Sequence, residues 1–245
     1  MSLEYYILFL FLIFLCAIFS GWASVRVRTA YRKYSSVQTA SGFTGAHTAK
    51  RLLEIEGVYD VNVTRVSGEL TDHFDPNNQV VRLSDSVHDS SSLAAVAVAA
   101  HEIGHVLQKE NGYVPYKIRS WIVPVANFGS RLALPLVLVG FLLDIFVFAA
   151  AKSPVGFYLA MVGVIFYGLS TLFQLATLPV ELNASRRACT LLVEAGIITE
   201  DEKSDARKVL TAAALTYVAA LLTSLVYFLR FLIWVLAIFG RSRRD

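Results

Sequence analysis

Residues 92–110 read SLAAVAVAAHEIGHVLQKE. Ser92 is a good N-cap residue, as are Asp89, Ser90 and Ser91 just before it. Asn111-Gly112 supplies a stop. The uninterrupted apolar part, Leu93 to Ala100, is too short to cross a bilayer, which needs roughly 20 such residues. The stretch therefore predicts a helix buried in a protein core. It contains His101-Glu102-Ile103-Gly104-His105, with the spacing H-E-x-x-H. Residues four apart on a helix differ by about 40° around the axis and one turn along it, so both imidazoles share a face. Gly104 costs a helix interior ~1 kcal/mol and usually marks the close approach of another segment.

Two histidines so placed suit zinc, which commonly takes a carboxylate as third ligand and leaves a fourth place to water. Bound zinc lowers the pKa of such a water to about 7. Glu102, next to the first histidine, is placed to take its proton and later deliver it to a leaving amine. The expected reaction is peptide-bond hydrolysis with no covalent enzyme intermediate and one zinc per chain. At this composition, chance yields about 0.004 such patterns in the chain, which makes the match specific.

Away from this helix the chain is strongly apolar. Of 245 residues, 56% are hydrophobic and 17% charged, where a soluble globule has about a quarter charged. These values exclude an ordinary soluble enzyme and a disordered chain. The net charge of +3 is small, and no basic tract is interleaved with aromatics, so no nucleic-acid partner is expected. Four stretches are long enough to span: 5–25, 132–150, 155–178 and 209–239, the last interrupted by Arg230. The first lacks a basic start and a clear cleavage site, and predicts an uncleaved anchor. The short link at 151–154 predicts a helical hairpin between the second and third. Arg26, Arg28, Arg32 and Lys33 place the segment after the first span in the cytoplasm, and 179–208 returns to the same side. A full fourth span leaves the basic tail outside, against the charge rule, so either that tail is tolerated or 209–239 crosses only in part. Cys16 and Cys189 fall in different environments, and no disulfide is expected between them.

The polar portion predicts an α+β body. Thr44 caps a helix running to Glu56, with Gly57 as its stop and an apolar stripe of Ala46, Ala49, Leu52, Leu53 and Ile55. VYDVNVTRV alternates like a half-buried strand. Two further strands flank the turn Asp75-Pro76-Asn77-Asn78. The expected fold class is α+β: a polytopic helical membrane protein whose zincin-like domain combines the H-E-x-x-H helix with a small antiparallel sheet. Its parts are an anchor at 1–25, a cytoplasmic domain at 26–120, a transmembrane hairpin at 121–178, a third-ligand segment at 179–208 and a hydrophobic helix with basic tail at 209–245.

The third ligand is open to His73, His88, Asp144, Glu181, Glu194 and the cluster 200–202. Glu181 is favoured: Pro179 can open a helix, which puts Glu181 in its first turn, on the side assigned to the histidines. Asp144 lies inside a predicted span and marks the rival reading, an intramembrane protease. A second rival is a non-enzymatic membrane scaffold with structural zinc. His73, at a strand end, and Tyr217 are candidate oxyanion donors, and Arg186 and Arg187 candidates to hold a substrate carboxylate. His47 and His88 read as surface residues.

The segments LTDHFDP at 70–76, VVRLS at 80–84, AAHEIGHVLQ at 99–108, LPVELNASRRA at 178–188 and TAAALTYVAALL at 211–222 resemble the YugP-type membrane zinc metallopeptidases of bacteria. The likeness runs from about residue 38 to about residue 230. It implies a zinc endopeptidase of the bacterial inner membrane, acting on membrane or misfolded proteins, with ligands His101, His105 and Glu181 and Glu102 as acid/base. A more distant likeness is to HtpX-like proteases, whose third-ligand helix carries a carboxylate four residues after the ligand. Here that position is Ser185.

Overall fold

In the computed structural model the backbone is described for residues 3–143, 146 and 155–241. Asp144 and the 151–154 link lie outside the described residues. The elements run α1 (Leu3–Ser35), α2 (Gly45–Ile55), β1 (Asn62–Val66), β2 (His73–Asp75), β3 (Val80–Ser84), α3 (Asp85–His88), α4 (Leu93–Glu110), α5 (Val114–Leu143), α6 (Val155–Glu194) and α7 (Glu200–Arg241). By packing the chain forms two units: Met1–Gly21, Ile118–Thr177 and Tyr217–Asp245 in one, Trp22–Lys117 and Leu178–Thr216 in the other.

Among the described residues four helices, α1, α5, α6 and α7, are long and apolar enough to cross a membrane, and parts of each lie in the first unit. The chain has the build of a multi-pass membrane protein. These helices outrun the predicted spans. At 1.5 Å per residue, α6 and α7 are each about 60 Å long, twice the hydrocarbon thickness. Helix α5 starts at Val114, well before residue 132, and carries Pro124 and Pro135 inside. Small residues bring the helices of this unit together: a Cβ on Gly163 would sit 2.6 Å from the Ala133 carbonyl, and one on Gly140 2.6 Å from the Ala160 nitrogen.

The second unit builds its core around α4. Its N-cap is Ser92, whose hydroxyl accepts from the Ala95 amide. Its end is the Asn111 cap followed by Gly112 at φ 63, the left-handed conformation glycine tolerates. Leu52 and Leu53 of α2, Leu83 of β3 and Leu192 of α6 pack with the buried alanines and valines of α4. Thr44 caps α2 as expected, accepting from the His47 amide, but Ile55 of its apolar stripe is exposed.

Two expectations need correction. The sheet is mixed, not antiparallel: its order is β1-β3-β2, with β1 parallel and β2 antiparallel to β3. The hairpin was visible in its turn residues, whereas the direction of β1 is set by the crossover through β2. Pro179 does not open a helix; it lies inside α6, so Glu181 is a mid-helix residue. Proline removes one backbone hydrogen bond there, and the helix continues on packing rather than on propensity.

Candidate metal centre

Helix α4 presents His101 and His105 side by side, their ring centroids 4.8 Å apart. Helix α6 brings Glu181 to the same point, with Oε2 3.3 Å from Nε2 of His101 and 3.6 Å from Nε2 of His105. Gly104 makes this approach possible: a Cβ there would lie 2.8 Å from the Ala184 carbonyl and 3.1 Å from its Cα. The close approach expected of that glycine is α6 itself. Glu181 is almost wholly buried, and His105 is buried beside it. Burial works against the Glu181 charge, but the two imidazoles outweigh it and hold the carboxyl well below the usual range.

Among the described residues these three form the one group of metal-ligating side chains whose donor atoms converge, all within 4.8 Å of one another. The donor set fits zinc. Tetrahedral bonds of 2.0–2.1 Å put neighbouring ligand atoms about 3.3 Å apart, and the two Glu181 separations are close to that. Three of the rival ligands named from the sequence have other partners. His88 contacts Asp89 at 2.6 Å through Nδ1, Glu202 closes a capping box with Thr199 at the start of α7, and Glu200 pairs with Lys203. Asp144 is outside the described residues.

Glu102 points into the protein and is buried, with its carboxyl raised to about 7. Burial is the main cause; His101 opposes it, while Asp72 and Glu181 add to it, and a backbone hydrogen bond from Phe74 of β2 also lowers it. Asp72 is itself pushed up by burial, although its oxygens accept from the amide and hydroxyl of Ser84.

The profile of the family described as "Putative neutral zinc metallopeptidase" matches residues 8–236. The chain belongs to this family. It is 46% identical over 224 residues to "Putative membrane protease YugP" of Bacillus subtilis (strain 168), covering 91% of this chain and 95% of that relative. No solved structure matches.

This family member holds its two histidines from behind. Ser185 Oγ lies 3.2 Å from Nδ1 of His101, at the position where the sequence suggested a missing carboxylate. Gln108 Oε1 lies 3.0 Å from Nδ1 of His105. Gln108 and its partner Asn183 were not singled out from the sequence. The available signal was spacing, since Gln108 stands three residues after His105 on the same helical face. The other predicted residues fall elsewhere. His73 contacts the Thr71 carbonyl and Arg82, within the hairpin. Arg187 donates to Asn183. Arg186 lines a cavity of about 440 Å³ with Ser185, Cys189, Lys203 and Arg207. Tyr217 belongs to the other unit. Both cysteines are free.

Proposed function

We propose that this chain is a membrane-anchored zinc endopeptidase cleaving membrane or misfolded proteins, with Glu102 as its acid/base. The observation that carries this reading is the convergence of His101, His105 and Glu181 beside a buried carboxyl raised to about 7. Zinc held by those three side chains supplies Lewis acidity toward a peptide carbonyl. Glu102 accepts the proton of the attacking water and returns it to the leaving amine, a role that suits a carboxyl poised near neutrality. Strand β2 is a sheet edge, and its backbone hydrogen-bonds Glu102. An extended substrate adding to that edge brings its scissile bond to the acid/base. Arg186, on a cavity that it shares with Arg207 and the Lys203–Glu200 pair, is suited to a substrate carboxylate. His73, at the start of β2, is the oxyanion candidate. The site faces the cytoplasm of a bacterial inner membrane, on the side of Arg26, Arg28, Arg32 and Lys33.

The test uses purified full-length protein with unfolded casein as substrate. Wild type is expected to bind one zinc and cleave. Glu102→Gln keeps the zinc and loses about 10²–10⁴-fold in rate, and Glu181→Gln loses the zinc. A protein that binds zinc tightly but never cleaves supports the structural-zinc scaffold instead, and zinc retained in Glu181→Gln overturns the ligand set.

A further inference from the structure

Gln108 is fully buried and makes contacts in three directions. Its Nε2 lies 2.8 Å from the Val180 carbonyl and 3.0 Å from Asn183 Oδ1, and its Oε1 lies 3.0 Å from Nδ1 of His105. The polarity of this chain of bonds is fixed by its chemistry. A backbone carbonyl only accepts, so the Gln108 atom facing Val180 is the amide nitrogen. The guanidinium of Arg187 only donates, and its Nε meets Asn183 at 2.9 Å, so the Asn183 atom shared with Gln108 is the oxygen. Both ends therefore impose the same orientation. The remaining Gln108 atom is a carbonyl oxygen, which accepts only, and Nδ1 of His105 carries the proton. In a neutral ring the lone pair is then on Nε2, the atom that faces Glu181.

We infer that Gln108 is the positioning residue of the metal centre: it sets the His105 tautomer and ties that ring to the backbone beside Glu181. The inference rests on the proposed zinc site. One side chain reaches a ligand on α4 and the residue preceding the third ligand on α6: its oxygen fixes the donor atom of His105, and its amide braces the packing of the two helices in the metal-free fold. Removing such an outer partner costs 10–100-fold in metal affinity.

The test uses full-length, detergent-solubilised protein stripped of metal. Zinc affinity is measured by competition with a chromophoric chelator, and the metal-free melting temperature is recorded in parallel. Gln108→Met and Gln108→Asn, which cannot reach His105 with an acceptor, are expected to bind zinc 10–100-fold more weakly. Gln108→Glu keeps an acceptor for Nδ1–H but cannot donate to Val180. It is expected to melt lower without metal while holding zinc within about threefold of wild type, a split that a merely space-filling glutamine does not produce. If Gln108→Met does not fold, the comparison of Asn with Glu decides. Affinities for Met and Asn within about threefold of wild type, or a Glu variant as weak as Met, overturn the inference and leave the zinc site standing. A wild type that takes up no zinc overturns the proposed function, and the inference with it.

Discussion

Single side chains set the chemistry through burial. The Glu102 carboxyl, ordinarily at 4.5, is raised to about 7, chiefly by its removal from water. A carboxyl raised on folding stabilises the folded state below its unfolded pKa, and that contribution disappears as pH rises through the folded value. In metal-free protein, wild type is therefore expected to lose about 3 kcal/mol of stability between about pH 5 and pH 8 relative to Glu102→Gln, read as a falling melting temperature. Parallel pH profiles would show that Glu102 is not shifted. His101 and His105 were legible as a pair because helical spacing is periodic. Gln108 was not, because its role is defined by the Val180 carbonyl, which lies 72 residues away in the chain.

Between elements, the decisive contact is α4 against α6 at Gly104. A methyl there meets backbone, which cannot swing aside. Gly104→Ala is expected to cost about 1–3 kcal/mol by overpacking, despite the better helix propensity of alanine. Zinc affinity is expected to fall as well, because the displaced turn carries Glu181 with it. Thermal melts with and without zinc check both. A variant as stable as wild type shows that α6 can shift without loss. Helix α4 itself could be placed from Ser92 to Asn111 because its signals are local: a hydroxyl at the front and a glycine past the end. The continuity of α6 could not. Pro179 is a local signal against helix, and packing on neighbouring segments holds that turn helical.

At the scale of the molecule, the described residues include four helices long and apolar enough to cross a membrane, and four crossings put both chain ends on one side. The basic residues after the apolar part of α1 then predict both chain ends outside and the metal centre inside. Reporter fusions active only outside the cytoplasm are expected to work at both termini and fail when inserted after Gly112. A silent C-terminal fusion indicates that α7 does not cross. The amino-acid order was enough to give the membrane class and to put the histidine pair on one face of a helix with Glu102 between them, since these depend on composition and on repeats within one helix. Glu181 was favoured as third donor over several other carboxylates and histidines. Its placement, the parallel course of β1 and the outer support of each imidazole were settled by tertiary packing. These depend on which backbone a distant segment presents at 3 Å, and hydrophobic periodicity carries no information about that.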